Sequence, residues 1–316
     1  MDADRERIEA AMHDAVVTPD AYLNEIASHL IVAGGKRLRP VLAVAASRIH
    51  GDEASQDVVR GGVSCELVHL GSLYHDDVMD EADTRRGVET VNAKWGNLQA
   101  ILAGDFLLSR ASEIAASLGT EVAGLLARTI GWLCEGQLEE LRRTYDRTRT
   151  ESSYLASIHG KTASLYGTAA RIGGIVAGYD RDTIDRLTEY GNAYGIVFQI
   201  VDDILDVTAT DAQLGKPAGH DMVEGVYTLP VIRTMADGEP AADELFALLG
   251  SPLDDAQKER ALSIVRANHG VGSAIDTAHE YVQRATDAIA GLPDTPAVAA
   301  LREAPSALLA GASVNA

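Results

Sequence analysis

The sequence predicts an all-α protein, a single large bundle of roughly ten or more helices, and three observations carry that prediction. Apolar residues recur at three- and four-residue intervals through almost the whole chain, the spacing that lines up one face of a helix. Alternating β-branched runs closed by Asn-Gly or Asp-Gly turns are scarce. Aromatic residues are only 5% of the chain while alanine is abundant, which suits closely packed helices.

The helices are separated, in order, at Gly34-Gly35, Gly51-Asp52, Gly119-Thr120, Gly178-Tyr179-Asp180, Gly215-Lys216-Pro217, Gly238-Glu239-Pro240, Gly250-Ser251-Pro252 and Pro293-Asp294, because Gly and Pro end helices. No Pro/Ser-rich linker and no solenoid repeat interrupts the chain, so residues 1–316 read as one domain. A hydrophobic content of 46% supports a large core and excludes global disorder. The net charge of −20 excludes nucleic acid or an anionic membrane as the general partner. An anionic substrate would need a local basic site working against that field. The two cysteines, Cys65 and Cys134, lie in apolar helix-like sequence and are expected to be buried free thiols in a reducing cytosol. The charged N-terminus has no signal-peptide core, and no apolar stretch is long enough to span a bilayer. A cytoplasmic protein is expected.

Two aspartate motifs of the form DDxxD stand in apolar helical surroundings, Asp76-Asp77-Val78-Met79-Asp80 and Asp202-Asp203-Ile204-Leu205-Asp206. Positions i and i+4 share a helix face, so Asp76 projects with Asp80 and Asp202 with Asp206. Asp77 and Asp203 are rotated about 100° away and should be secondary. Like charges so placed repel, the more so when partly buried, and call for a cation. One or two carboxylates with room for substrate phosphate are what Mg²⁺ accepts. A single such motif could be a solvated acidic face; its recurrence 126 residues on, in a similar apolar setting, argues against that for the pair.

Basic clusters accompany the acidic ones. Gly34-Gly35-Lys36-Arg37-Leu38-Arg39-Pro40 packs three cations into four residues, and Arg85-Arg86-Gly87 follows the first motif by five residues. Lys161, in Gly160-Lys161-Thr162, and Lys216, ten residues beyond Asp206, add two more. Singly, each is an ordinary surface charge group. Together they are what holds a diphosphate beside carboxylate-bound magnesium.

Taken in order, Gly34 to Pro40, Glu66-Leu67-Val68-His69 leading to His75 and the first aspartate motif, Thr84-Arg85-Arg86-Gly87, Gly104-Asp105-Phe106-Leu107-Leu108, Gly160-Lys161-Thr162, Phe198-Gln199 leading into the second motif, and Gly215-Lys216-Pro217 resemble the trans-polyprenyl diphosphate synthases. The likeness runs from about residue 25 to 235 and is strongest to actinobacterial-type long-chain members. It implies helices around a central catalytic cavity, a homodimer, and head-to-tail condensation of isopentenyl diphosphate with an allylic diphosphate. It further implies that Asp76, Asp80 and Asp202 bind several Mg²⁺ directly, with Asp77, Asp203 and Asp206 supporting. Arg85, Lys161 and Lys216 would neutralise the departing diphosphate. Lys36, Arg39, His69 and Arg86 would hold isopentenyl diphosphate, and Thr162 and Gln199 would assist near the allylic cation. Asn92, Asp105 and Gln137 are open between hydrogen-bonding support and helix packing, His75 between orienting a ligand carboxylate and helix packing, and Asp221 would face the second Mg²⁺ cluster. Some shorter-chain members carry a further lysine where this chain has Glu224-Gly225-Val226-Tyr227-Thr228-Leu229-Pro230.

Product length is addressed by the turn before Asp76. Ser72 stacks on Asp76 at i,i+4, about 6 Å deeper on the same face, close to the length of one isoprene unit. Gly71 and Ser72 are both small, where the resemblance places aromatic bulk in farnesyl-type enzymes. Growth past twenty carbons, to thirty or more as for a menaquinone side chain, is expected. Trp132 is a candidate tunnel floor or else a core aromatic. The alternatives are a geranylgeranyl or geranylfarnesyl diphosphate synthase, a class I terpene cyclase, or the non-catalytic subunit of a heteromeric synthase. The second motif and the Gly-Gly-Lys-Arg segment weigh against a cyclase, and the six intact aspartates weigh against the subunit.

Overall fold

The computed structural model describes residues 2–210 and 218–313, and its contacts divide into two compact units interleaved along the chain. The first comprises Met1–Ile130, Leu165–Gly191 and Gly291–Val298; the second comprises Gly131–Ser164, Asn192–Ala290 and Ala299–Ala316.

The first unit begins with α1 (Asp2–Ala15), α2 (Ala21–Val32), α3 (Leu38–Ser47) and α4 (Gln56–Met79). Asp20 caps α2 by accepting from the amides of Tyr22 and Leu23, and Ser55 caps α4 through the amide of Val58. A two-stranded ribbon, β1 (Thr84–Arg85) and β2 (Val88–Glu89), then leads into α5 (Val91–Trp95) and α6 (Asn97–Ser117). Helix α4 packs against α1, α3 and α6 and is buried nearly all round, through Val59, Val63, Leu67, Val68 and Tyr74 among others. It approaches α6 closely because Gly71 faces Gly104: a Cβ on Gly71 would stand 3.0 Å from the Gly104 carbonyl oxygen. The smallness of Gly71 therefore serves helix packing.

Helix α7 (Thr120–Arg142) starts in the first unit and ends in the second. The second unit continues with α8 (Glu151–Ile158), capped by Thr150, and a single π turn over His159–Ala163. Helix α9 (Ser164–Val176) follows, and α10 (Arg181–Thr208) carries the chain back into the second unit. Beyond it lie α11 (His220–Val223), α12 (Leu229–Met235), α13 (Pro240–Leu248), α14 (Asp255–Ala267), α15 (Gly270–Ala288) and α16 (Pro296–Ser313). Pro230 sits in the first turn of α12, where a missing N–H costs nothing, and Asp254 with Gln257 forms a capping box on α14. Val197, Ile200 and Ile204 of α10 pack with Tyr154, Ile158, Tyr227, Leu229 and Leu262 in this unit's core.

The all-α expectation holds, and the glycine breaks fall between helices, except Gly215 to Pro217, which lies outside the described residues. Of the interruptions that the glycine and proline breaks did not mark, two bear on the site. One is the ribbon after α4. The other is the loop from 143 to 150, where the Asp146 carboxylate accepts from the amide and hydroxyl of Thr148 and closes a side-chain turn. Cys65 is buried as expected, but Cys134 is exposed, since it lies on an outward face of α7. No helix among the described residues is long and apolar enough to cross a membrane.

Candidate active site

In the first unit the Asp76 motif occupies the last turn of α4. Asp76 is partly exposed and Asp80, the C-cap, is exposed, whereas Asp77 is buried. Arg85 Nε donates to Asp77 Oδ1 at 2.5 Å, and Asn92 Nδ2 donates to the backbone oxygens of Asp77 and Ala82. Burial pushes the Asp77 carboxyl above its ordinary pKa, and Arg85 opposes that. Asn92 is thus a support for this turn.

The ribbon places both arginines. Its two-residue turn has Arg86 at φ 54° and Gly87 at φ 77°, the backbone of a type I′ hairpin that favours Asn-Gly. An arginine there is strained, and contacts elsewhere hold it: its guanidinium donates to the Leu30 oxygen at 3.2 Å and to the Gly34 oxygen. Arg85 therefore faces Asp77 while Arg86 crosses to the end of α2.

The three cations after Gly35 have three different fates. Arg37 is buried and structural, donating to Glu9 Oε1 and the Ile31 oxygen at 2.8 Å each, with Glu66 3.6 Å away. Arg39 lies 4.0 Å from buried Glu66 and 4.6 Å over the Tyr166 ring. Lys36 is exposed. His69, one helical face along from Glu66, is held neutral. Removal from water and then the nearby charges of Arg39, Arg86, Arg85 and Arg37 put its pKa well below the usual histidine value. His75 packs on α6, 3.1 Å from the Ile101 oxygen and 3.5 Å from Asp105, in the space that Gly104 leaves. Ser72 is partly exposed, its hydroxyl turned back to the His69 oxygen at 2.9 Å.

The second unit repeats the pattern for the first two aspartates, Asp202 exposed and Asp203 buried, but its third, Asp206, is buried where Asp80 is exposed. Here the middle aspartate is held by neutral groups. Tyr154 Oη donates to Asp203 Oδ2 at 2.5 Å and Gln199 Nε2 to Oδ1 at 2.8 Å, while the Thr162 hydroxyl donates to Gln199 Oε1 at 2.9 Å. Burial pushes the Asp203 carboxyl up to about 7 against those two hydrogen bonds. The Asp221 amide donates to Asp206 Oδ2 at 3.3 Å, which fastens the start of α11 to the end of α10.

Lys161 and Thr162 lie on the π turn, a helical irregularity common at functional sites. Gly136 of α7 makes room for it, since a Cβ there would stand 2.4 Å from the Lys161 nitrogen. Lys161 Nζ rests on Glu140 Oε1 at 2.6 Å. Lys216 lies outside the described residues. Trp132 is 41% exposed, so the core reading of it fails; it lines an open cleft of about 240 Å³ with Glu135, Gly136, Glu139, Ala156, His159 and Gly160. Sequence reasoning missed Tyr154, Arg149 and Glu140. Tyr154 precedes Lys161 by seven residues, two helical turns, a spacing that could have drawn attention to it. Nothing local marked Arg149.

The donor set fits magnesium. No three His, Cys, Asp or Glu side chains among the described residues already converge on a metal position, yet Mg²⁺ takes only one or two protein carboxylates and completes its octahedron with phosphate and water. Asp76 is partly exposed and Asp80 and Asp202 are exposed, and each neighbouring middle aspartate is fixed by hydrogen bonds. Asp77 Oδ2 is nevertheless buried without a hydrogen-bond partner among the described residues, which a nearby cation would relieve. Carboxylates that reach solvent, with Arg85 on the neighbouring Asp77 in one unit and Lys161 in the same unit as Asp202 in the other, are the groups that a metal diphosphate calls for.

Comparison with known proteins agrees with this chemistry. The polyprenyl synthetase family profile matches residues 20–265. A nonaprenyl diphosphate synthase of Mycobacterium tuberculosis is 40% identical over 296 residues, 93% of this chain and 88% of its own length. A heptaprenyl diphosphate synthase component 2 of Geobacillus stearothermophilus is 37% identical, covering 94% of this chain and 92% of its own. Among solved structures, a polyprenyl synthase of Caulobacter crescentus complexed with calcium and isoprenyl diphosphate superposes with a TM-score of 0.92 at 32% identity, covering 98% of this chain and 94% of the other.

Proposed function

The chain belongs to the polyprenyl synthetase family, and from that premise we propose that it joins isopentenyl diphosphate head to tail to an allylic diphosphate, yielding an all-trans polyprenyl diphosphate of thirty carbons or more. The observation that carries the reading is the matched exposure of the two aspartate motifs, each with a solvent-facing first aspartate beside a buried, hydrogen-bonded second one. Long-chain products are named for the mycobacterial and Geobacillus relatives. The small, partly exposed Ser72 on the Asp76 face leaves room for a growing chain.

Magnesium held by Asp76, Asp80 and Asp202 would supply Lewis-acid stabilisation of the diphosphate leaving group. The protein's own groups do the rest. Lys161 exchanges the Glu140 carboxylate for a diphosphate oxygen, and Arg85 and Lys216 add positive charge to the departing group. Lys36, Arg39, neutral His69 and Arg86 hold isopentenyl diphosphate, Arg39 braced by Glu66 and Tyr166. The Thr162 hydroxyl and Gln199 amide present dipoles to the allylic cation. The proton released on condensation passes to the freed diphosphate. The exposed apolar side chains of Leu98, Ile101 and Leu102 on one face of α6 support a homodimer.

The test is product chromatography from purified chain with Mg²⁺, radiolabelled isopentenyl diphosphate and each allylic primer. Products of thirty carbons or more are expected from this chain alone. Accumulation of only fifteen- or twenty-carbon products would overturn the length assignment. Turnover of an allylic diphosphate without isopentenyl diphosphate would overturn the reaction class.

A further inference from the structure

We propose that Tyr154 is a positioning residue for the second aspartate motif, its hydroxyl fixing the Asp203 carboxylate and thereby the side-chain arrangement of Asp202, Gln199 and Thr162. This rests on the metal-binding role of the aspartates stated above. Tyr154 is 1% exposed in the second unit's core. Phenylalanine would meet the packing there equally well, so the hydroxyl needs another reason, and it is placed 2.5 Å from Asp203 Oδ2. Asp203 Oδ1 takes the Gln199 amide at 2.8 Å, and Gln199 Oε1 takes the Thr162 hydroxyl at 2.9 Å. One phenol thus anchors a chain of three hydrogen bonds that joins α8, α10 and the π turn. Cutting it at Tyr154 frees a buried carboxylate to rotate beside the exposed Asp202.

Arg149 reinforces the anchor. Its guanidinium lies 5.6 Å from the Tyr154 ring centroid, is 4% exposed and donates to the Tyr227 oxygen at 3.1 Å. Its Nε and second amino nitrogen are buried without hydrogen-bond partners among the described residues, so this charge is balanced at longer range, chiefly by Glu140 and Asp203. A buried cation against the ring face polarises the phenol toward donating.

The experiment measures Mn²⁺ binding by electron paramagnetic resonance in the presence of inorganic diphosphate, alongside the Mg²⁺ dependence of turnover. It compares the full-length wild type, Tyr154→Phe and Tyr227→Phe. Tyr154→Phe should raise the half-saturating metal concentration roughly tenfold in both assays, with kcat at saturating Mg²⁺ within about threefold of wild type. Tyr227→Phe loses a buried hydrogen bond to the Gly250 amide in the same core and should lower Tm without moving metal dependence. A folded Tyr154→Phe with unshifted metal dependence, or an equal shift in Tyr227→Phe, would overturn the proposal. If Tyr154→Phe does not fold, Arg149→Lys is read in the same assays: weaker metal binding supports the proposal and wild-type binding overturns it. Wild-type protein that bound no Mn²⁺ with diphosphate would instead remove the metal-binding reading itself.

Discussion

In the first unit the buried middle aspartate, Asp77, leans on a cation, Arg85; in the second, Asp203 leans on a phenol and an amide. The first aspartates are alike in reaching solvent, the last ones differ, Asp80 exposed and Asp206 buried, and the supports of the middle ones differ in charge. An ion pair opposes the rise that burial imposes on the Asp77 carboxyl, whereas neutral donors leave Asp203 pushed up to about 7. One motif, written twice in the sequence, is therefore two electrostatic devices. The first has its counter-charge built in. The second, with no ion-paired partner on Asp203 among the described residues, depends more on what binds it.

The comparison breaks most sharply at the solvent-facing aspartates. Asp76→Ala and Asp202→Ala should each lower turnover by about 10³-fold or more at saturating substrates if, as proposed, each supplies an oxygen to the metal; steady-state kinetics checks this, and a loss confined to one of them would make the motifs unequal in function. The middle aspartates come next. Asp77→Asn and Asp203→Asn should each weaken metal affinity or activity by roughly 10- to 100-fold. They should part company in pH dependence. A carboxyl whose folded pKa is raised favours folding at low pH, and that advantage fades as pH climbs through the folded value. In metal-free protein, the Tm of Asp203→Asn relative to wild type should therefore rise between pH 5 and pH 8, by roughly 4 °C. The same difference for Asp77→Asn should change less, since Arg85 offsets its burial. Calorimetry across that range decides it, and equal slopes would erase the distinction.

Smaller effects concern chain length, and they separate an inner position from an outer one. Ser72→Phe should shorten the product by one or more isoprene units with turnover retained, since about 6 Å separates it from Asp76 along the helix. Trp132→Ala, on an open cleft, should leave the product distribution unchanged. Chromatography of both variants checks the pair.

Helices, most breaks and aspartate faces were legible because each is written in local spacing: four residues between carboxylates, a glycine at most of the left-handed turns. The split among Lys36, Arg37 and Arg39 was not. All three are basic and adjacent, and only contacts with Glu9, Glu66 and Tyr166, far off in sequence, decide which one is structural. Tyr154 and Arg149 were hidden for the same reason, since a buried Tyr or Arg acquires meaning from a partner 49 or 78 residues away. The Asp146 side-chain turn and the arginine-bearing hairpin escaped because neither uses a standard turn pair.

The π turn at His159–Ala163 carries a consequence for how such a chain can change. A π turn is an α turn with one residue too many, so deleting a single residue there would yield a smoother helix while swinging Lys161 and Thr162 by about 100° relative to everything before them. Such a deletion would part Thr162 from Gln199 and Lys161 from Glu140 in one step.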